Sequence, residues 1–331
     1  MQKIDNPYGM IQTVEHCESF SIYRSQDSTG DCEVTVYPVF SGIELVYYDV
    51  HMQSCDINLA KGREMLIITH CQEGRIEFEY KNGEYLYLAS GDLSIQKNTE
   101  NIRHRYCPLS HYHGVSVAID MNRVPRCFSC ILDDVFVSPE ELEMKFCSEK
   151  PYSIMRENIS IEHIFSELYH VREKRKPGYM KVKMLELLLF LSDLNTAEEV
   201  LQTDYFNQNQ VALIKAVASY ITEDLTAHHT IEQLSQKFEI STTALKKCFR
   251  GVYGTSVYSY LRTYRLQVAK KLLLETESSV TEIASKIGYE NPNKFTSAFK
   301  ETYGSSPTEF RKSVRLEWRR NLSCIRISFV R

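Results

Sequence analysis

The chain has 331 residues, of which 43% are hydrophobic and 25% charged, a balance typical of a globular protein with room for two domains of ordinary size. Its longest purely apolar run, Leu187 to Leu191, is far shorter than the roughly 20 residues of a membrane-spanning helix, which argues against a membrane protein. The N-terminus lacks the apolar stretch of an export signal and the ten cysteines are scattered, so we expect a cytoplasmic protein with reduced thiols.

Charge is divided unevenly along the chain, although the formal net charge is only −4. From Tyr205 to Arg331 there are 19 lysines and arginines against 11 acidic residues, a net charge of +8, whereas the preceding residues carry −12. A basic rear third joined to an acidic front indicates that only the rear meets a polyanion. Two unrelated surface compositions would give the same numbers, so a motif in the basic segment has to decide.

Residues up to about Ile119 contain short runs rich in β-branched and aromatic residues, separated by turn signals such as Lys81-Asn82-Gly83. Many short strands at this spacing predict a β-barrel or a β-sandwich. The predicted strands are Glu33 to Phe40, Ile43 to Tyr48, Met65 to Thr69, Arg75 to Tyr80, Glu84 to Leu88, Leu93 to Gln96 and Gly114 to Ile119.

Helical periodicity follows the strands. Apolar stripes from Ile161 to Val171 and from Met184 to Leu191 predict two helices, separated by the charged loop Arg172 to Gly178. The mostly polar residues 195–210 include few that a core would bury, so we place a short linker and a domain boundary there. Beyond this boundary the pattern is almost wholly helical.

The stretch from Val280 to Arg311 predicts a helix, a tight turn and a second helix. Apolar residues recur at intervals of three and four up to Ile287, and Gly288 ends the first helix because glycine enters a left-handed cap without a steric penalty. Asn291 and Pro292 then suit the N-cap and the first position of the next helix. We interpret this unit as one that contacts DNA.

An internal repeat strengthens that interpretation. Ser241 to Tyr260 aligns without gaps on Asn291 to Phe310, at an offset of 50 residues. The preceding helices, Ile231 to Phe238 and Val280 to Ile287, align at an offset of 49, so the second turn is one residue longer. Two helix-turn-helix units in one basic segment are therefore predicted.

The segment also contains five specific motifs, which are Ile231-x-x-Leu234-Ser235, Leu245-x-x-x-Phe249-Arg250-x-x-x-Gly254, Tyr260-Leu261-x-x-x-Arg265-Leu266-x-x-Ala269-x-x-Leu272-Leu273, Ile283-Ala284-x-x-x-Gly288-Tyr289 and Phe295-x-x-x-Phe299-Lys300-x-x-x-Gly304-x-x-Pro307-x-x-Phe310-Arg311. Over about 100 residues, these motifs resemble the AraC/XylS family of bacterial transcription regulators. In that family a connecting helix, here about Val257 to Leu274, lets two recognition helices enter successive major grooves roughly 34 Å apart.

The resemblance implies a set of DNA contacts by position in the family motif. Polar and basic side chains there suit base edges and phosphates, whereas a solvated helix face is the alternative for each of them. The implied base-contacting residues are Thr243, Lys246, Lys247, Asn293, Lys294 and Ser297. Those implied nearer phosphate are Thr242, Arg250, Asn291 and Lys300. The apolar partners on the same helices, Leu245, Phe249, Phe295 and Phe299, are expected in the core.

The front of the chain resembles the cupin-like effector barrel that many members of this family carry. Ser90-Gly91-Asp92-Leu93 is similar to the Pro-Gly-Asp turn of that barrel, with serine in place of proline. Ten tyrosines lie within the first 120 residues and suit either a pocket for an amphipathic or aromatic effector or ordinary barrel packing. The candidate effector-binding residues are Tyr37, Tyr47, Tyr80, Tyr87, His111 and His113.

Two metal patterns are incomplete. His111-Tyr112-His113 has the His-x-His spacing of metal-bearing cupins, but no glutamate follows at the expected interval. Cys127 and Cys130 form a C-x-x-C pair without a second pair of ligands. We therefore expect no metal, no cofactor and no enzymatic activity.

Together these observations predict an α+β multidomain protein with a cupin-like β-barrel in residues 1–150, a helical dimerisation or packing region in 151–194, a linker in 195–210, an all-α AraC-type DNA-binding domain with two helix-turn-helix motifs in 211–312 and a basic tail in 313–331. For the tail, phosphate contacts by its arginines and an edge strand through alternating Ile325, Ile327 and Phe329 both remain open.

The leading hypothesis is a transcriptional regulator whose barrel senses a small molecule and modulates binding to double-stranded promoter DNA. The resemblance favours an activator, which would contact RNA polymerase, and a homodimer, with Ile161 to Val171 and Met184 to Leu191 as the candidate dimer surface. The alternatives are a metal-dependent cupin enzyme with a DNA-binding appendage and a regulator controlled by a protein partner.

Overall fold

The structure, a computed structural model, describes residues 12–16, 19–54, 63–97, 102–124, 137–170, 176–195 and 206–313. The chain divides into two compact units, Met1–Gln208 and Asn209–Arg331. Among the described residues, no helix is long and apolar enough to cross a membrane. The predicted Cys127–Cys130 pair and residues 314–331 of the tail lie outside the described residues.

The N-terminal unit is built on an antiparallel sheet, which confirms the β-rich front of the chain. Its hydrogen-bonded order is β1-β2-β3-β4-β9-β5-β7-β10, and β6 and β8 also pair with β5. The strands are β1 (Gln12–His16), β2 (Ser21–Asp27), β3 (Gly30–Phe40), β4 (Ile43–His51), β5 (Met65–Tyr80), β6 (Tyr85–Ala89), β7 (Leu93–Lys97), β8 (Ile102–Tyr106), β9 (Tyr112–Asp120) and β10 (Tyr152–Met155).

Two details of the sequence prediction are corrected. The described strands form no closed barrel, because the order ends at β1 on one side and β10 on the other. The two strands predicted from Met65 to Thr69 and from Arg75 to Tyr80 are a single strand, β5, with a register shift between Cys71 and Glu73. Polar residues and a glycine at this bulge imitate a turn in the sequence.

The sheet has an apolar core on each face because its side chains alternate. Met65 and Ile67 of β5 belong to one core, which gathers residues of β2, β3, β4, β6 and β9. Leu66 and Ile68 belong to the other, which three helices cover. These are α1 (Pro139–Cys147), α2 (Ile159–His170) and α3 (Lys176–Asp193).

Helices α2 and α3 pack their apolar stripes against their own sheet. Ile161 and Leu187 are fully buried in the helix-covered core, together with most of the two stripes predicted as a dimer surface. The apolar residues that these helices expose are Ile159, Tyr179 and Val182. The stripes are therefore explained by packing within the chain.

The C-terminal unit is helical, as predicted. Its helices are α4 (Gln208–Glu223), α5 (Ile231–Lys237), α6 (Thr242–Tyr253), α7 (Val257–Glu275), α8 (Val280–Lys286) and α9 (Pro292–Tyr303). Residues 307–313 are also helical. We call α5 with α6 the first helix pair and α8 with α9 the second helix pair, and α7 connects them.

The turn of the second helix pair contacts the segment between α4 and α5. Gly288 has a φ of +78°, and a Cβ at this position would lie 2.0 Å from the carbonyl oxygen of Leu225. The same carbonyl accepts a 2.6 Å hydrogen bond from Nη2 of Arg265 on α7. Glycine is thus required here both by backbone conformation and by space.

We predict that Gly288→Ala destabilises the C-terminal unit by more than about 2 kcal/mol, because strain at a positive φ adds to a backbone clash. The matched control is Gly304→Ala, which has a φ of +74° but no atom within 4 Å of the added Cβ. This control should cost only about 1 kcal/mol. Amide hydrogen exchange in α5 to α9 measures both effects, and equal losses would show that the Leu225 contact contributes nothing.

Candidate nucleic-acid interface and ligand cavity

The two helix pairs share their capping chemistry at the offsets found in the sequence. Thr230 and Ser279, 49 residues apart, each form a capping box at the start of α5 and α8. Both second helices begin at a side-chain N-cap and end at a glycine in the left-handed conformation, with φ of 73° at Gly254 and 74° at Gly304. The same local signals therefore start and stop both copies.

Each second helix buries one face completely. Leu245 and Phe249 of α6 and Phe295 and Phe299 of α9 all have a relative exposure of 0%. In the second pair, Phe299 packs edge-on against Phe295 and Phe310. The opposite faces of α6 and α9 are consequently left to solvent, and their orientation is fixed by the aromatic core beneath them.

The outward face of α6 is basic. Thr243, Lys246, Lys247 and Arg250 are exposed and follow the i, i+3, i+4, i+7 spacing of one helical face, whereas Thr242 is half-buried. A cationic stripe of this kind attracts phosphate.

The outward face of α9 carries amides, a hydroxyl and two lysines. Asn293, Lys294, Ser297 and Lys300 are exposed, and Asn291 accepts a 2.9 Å hydrogen bond from the backbone N–H of Asn293 as the helix N-cap. The first three line one concave surface, together with Asn291 and with residues of the connecting helix. Those α7 residues are Tyr258, Leu261, Arg262 and Arg265.

Two arginines of helix α7 connect it to the second pair and to the segment between α4 and α5. Arg262 forms an ion pair with Glu301 of α9. Arg265 is 9% exposed and donates to the carbonyl oxygens of Leu225 and Ala227, at 2.6 and 3.4 Å. Burial lowers the pKa of Arg265, yet a guanidinium remains charged at neutral pH, so its hydrogen bonds are charge-assisted.

A separate cavity lies within the N-terminal unit, on the face of the sheet that α1, α2 and α3 do not cover. It encloses about 590 Å³ of space including its open mouth, of which about 40 Å³ admits the centre of a water molecule. The mouth of the cavity is open to solvent, and its enclosed part is narrow. Its lining is mostly apolar, and the residues are Tyr48, Val50, Ile67, Thr69, Ile76, Phe78, Gln96, Lys97, Ile102, Arg105, Cys107, Tyr112 and Ser116.

One polar group of this cavity lacks a partner. Tyr112 is 1% exposed, and its hydroxyl has no hydrogen-bond partner among the described residues. Its ring lies over Gly114, where a Cβ would come within 2.3 Å of the hydroxyl oxygen. Burial raises the pKa of Tyr112 well above its usual value, so the phenol stays protonated and can donate.

The six tyrosine and histidine candidates predicted for an effector do not line this cavity and do not form one cluster. Tyr37 and Tyr47 pack on each other beneath the Lys176 ammonium, on the helix-covered face. Tyr80 is buried against Tyr152, and its hydroxyl donates to Gln96. The remaining three also contact protein groups.

Tyr87 donates a 2.7 Å hydrogen bond to Glu77, on the face of β6 opposite to Leu86 and Leu88. The rings of His111 and His113 contact the ring of His51 outside the cavity. Tyr48 and Tyr112 are among the ten tyrosines considered from the sequence, but the set of six candidates leaves them out, although alternation was a usable signal. Tyr48 shares its face with Val46 and Val50, whereas Tyr47 faces the helices.

Comparisons with known proteins include a family profile that falls on the helical unit. A family profile described as a helix-turn-helix domain matches residues 234–313. The chain is 34% identical over 103 residues to YdiP, an uncharacterized HTH-type transcriptional regulator of Escherichia coli strain K12, covering 31% of this chain and 34% of that protein. It is 28% identical over 146 residues to the xylose operon regulatory protein of the same strain, covering 41% and 37%.

The chain thus spans about a third of the length of these two curated relatives. Among solved structures, the DNA-binding domain of AdpA, a global transcriptional factor in complex with a target DNA, is 27% identical. That match covers 31% of this chain and 94% of that domain, with a TM-score of 0.30. The relatives that match carry the names of transcriptional regulators, and together with the helix-turn-helix profile they support an AraC-type transcriptional regulator.

Proposed function

We propose that this protein is a sequence-specific DNA-binding transcriptional regulator in which the two helix pairs act as two helix-turn-helix motifs. The observation that carries the proposal is the duplication itself. Two helices with matching caps, matching buried aromatics and solvent-facing polar or basic side chains recur in one basic unit. A second copy doubles the length of DNA that can be contacted.

The exposed faces of α6 and α9 differ in the bases and phosphates that their side chains suit. On α6, Lys246 and Lys247 suit guanine O6 and N7, and Arg250 suits phosphate. On α9, Asn293 suits adenine, Lys294 suits guanine, and the Ser297 hydroxyl can contact several bases. Thr242, Thr243, Asn291 and Lys300 complete the proposed contact set at the helix starts and on the phosphate side.

The proposed role of the N-terminal unit is to bind a small, largely apolar effector in the cavity. Apolar walls and a few convergent polar groups are what such sites provide, and the unpartnered Tyr112 hydroxyl supplies an orienting donor. We retain the cupin-like description for this unit as part of the proposal, as well as homodimerisation and activation through RNA polymerase, which the family resemblance implies. The effector alters promoter binding only if it prefers one of two arrangements of the protein.

A regulator controlled by a protein partner is the second candidate. It is favoured by the narrowness of the enclosed space, since only about 40 Å³ admits the centre of a water molecule. A binding measurement on the purified chain decides between these two candidates. A small molecule that binds, and whose binding is lost when the cavity wall is altered, favours the effector, whereas no such binding favours the protein partner.

Tyr112→Phe is expected to leave the free energy of unfolding unchanged or to raise it by up to about 1 kcal/mol, because the lost hydroxyl has no partner in the free protein. The matched control is Tyr80→Phe, whose hydroxyl donates to Gln96 and whose loss should cost about 1 kcal/mol. Urea unfolding measures both variants. A larger loss for Tyr112→Phe than for Tyr80→Phe would contradict the idea that this hydroxyl is reserved for a ligand.

Lys247→Ala is expected to weaken binding to the full DNA site by about 1–3 kcal/mol and to relax base preference at one position, because a lysine donor to a base edge is lost. Fluorescence anisotropy at fixed salt, with a site selected from random DNA by the native protein, measures this. Lys81→Ala removes the same charge from a turn of the N-terminal unit and serves as the control. Equal affinity of both variants and an unchanged base preference would remove Lys247 from the contact set.

The bipartite arrangement predicts that damage to the second pair alone abolishes specific binding. Phe299→Asp places a charge in a fully buried site and should unfold this pair, at a cost of at least about 3–5 kcal/mol. A second variant, with alanine at Asn293, Lys294 and Ser297, leaves the core intact and should lose more than about 100-fold in affinity for the full site. If this triple variant binds with native affinity, the second pair takes no part in sequence recognition.

A further inference from the structure

Three histidines converge at one end of the β4–β9 ladder. His51 ends β4, His113 lies in β9, and His111 precedes β9 by one residue. Each offers a ring nitrogen, and these nitrogens all lie within 4.8 Å of one another. The ring centroids are 4.6 to 5.3 Å apart. Their side chains are only partly exposed, at 27 to 49%.

Backbone pairing holds the three rings in place. Asp49 of β4 pairs with His113 of β9, and alternation puts His111 on the same side of the chain as His113. The carbonyl oxygen of His111 accepts from the backbone N–H of Arg75 at the bulge of β5, and a Cβ on Gly74 would lie 2.1 Å from that oxygen. Gly74, with a φ of +85°, is therefore what lets His111 approach.

Carboxylates lie beside two of the rings and favour a proton on the ring nitrogen that faces them. Nε2 of His51 lies 2.9 Å from Oδ1 of Asp49, and Nε2 of His111 lies 3.1 Å from Oε1 of Glu73. A carboxylate accepts, so the neutral tautomer that suits each contact has its proton on Nε2 and a lone pair on Nδ1. The two Nδ1 atoms face each other at 3.4 Å. This contact is held either by a proton on one of the two Nδ1 atoms or by a metal ion that both atoms bind.

The geometry suits a metal ion. Tetrahedral zinc with Zn–N bonds of 2.0–2.1 Å separates its nitrogen ligands by about 3.3–3.4 Å, which matches the Nδ1–Nδ1 distance of 3.4 Å. His113 supplies a third nitrogen, because its Nε2 is buried and has no hydrogen bond of good geometry in the described part, although Asp49 Oδ1 lies 3.0 Å away. Carboxylates on the far side of ligating imidazoles are the usual outer shell of such sites.

We propose that His51, His111 and His113 bind a divalent transition-metal ion, with Asp49 and Glu73 orienting the rings. Three imidazoles favour zinc, copper or nickel over magnesium and calcium, which prefer oxygen ligands. The site lies outside the cavity, and the metal joins β4 and β9 beside the bulge of β5. It requires no catalysis, and it stands whether or not the protein binds DNA.

The test uses the full-length protein without an affinity tag, stripped of metal, and measures Zn²⁺ binding by calorimetry in competition with a chelator. Because the Cys127 and Cys130 thiols are zinc ligands in principle, the measurements are made with both changed to serine. One zinc ion per chain is expected. His111→Ala with His113→Ala should weaken binding more than about 100-fold, and Asp49→Asn or Glu73→Gln about 10–100-fold.

His104→Ala removes an exposed histidine of β8 outside the cluster and should bind zinc as the parent does. The Co²⁺ form should show the visible bands of a nitrogen and oxygen ligand set without a thiolate-to-cobalt charge-transfer band. Zinc binding that survives the double histidine variant, or that is absent from the parent, would overturn the proposal. Equal binding of Mg²⁺ would overturn the assignment to three imidazoles.

Discussion

The C-terminal unit depends on one buried arginine. Arg265 of α7 donates to the carbonyl oxygen of Leu225, and the same oxygen occupies the space that a side chain on Gly288 would need. Three parts of the unit thereby meet at one acceptor, namely the segment between α4 and α5, the connecting helix and the turn of the second pair. A buried guanidinium is costly unless its donors are paired, and Nε of Arg265 has no partner in the described part of the chain. An apolar residue would avoid that cost, so the arginine is explained by geometry rather than by stability.

This constraint matters because neither helix pair has a large core of its own. Helices α5 and α8 have seven residues each, and Leu234 is the single buried residue of α5. Helices this short are unstable in isolation and need tertiary contacts. The connecting helix has 19 residues, hence a length of about 28 Å at 1.5 Å per residue, which is comparable to the roughly 34 Å turn of DNA between successive major grooves. A rigid spacer of this length keeps α6 and α9 from adjusting independently.

The sequence predicts the helical unit better than the sheet because its signals are local. Gly254, Gly288 and Gly304 end helices where their positive φ is needed, and each lies within a few residues of the cap it terminates. The bulge in β5 is also local, but its polar residues resemble a turn, so one strand was predicted as two. Local sequence signals alone do not distinguish a bulge within one strand from a turn between two strands.

The cavity and the histidine cluster depend on contacts between distant parts of the sequence. Alternation separates Tyr47 from Tyr48, but it does not tell which face encloses space until β4, β5 and β9 are paired. The His-x-His spacing pointed to His111 and His113, whereas His51 is 60 residues from His111 and joins them only through the β4–β9 ladder. The expectation of no metal rested on the missing glutamate. The sequence alone does not place His51 beside His111 and His113.

The cluster and the cavity share a wall. Tyr112 lies between His111 and His113 in the sequence, points to the opposite face and lines the cavity, and its cross-strand partner Val50 precedes His51. A cation that draws the three imidazoles together fixes this end of the β4–β9 ladder, so it removes conformational freedom that a cavity ligand would otherwise have to remove. Metal and ligand must then strengthen each other's binding by the same factor. Neither alters DNA binding unless it distinguishes two arrangements of the chain, and tight binding alone is insufficient.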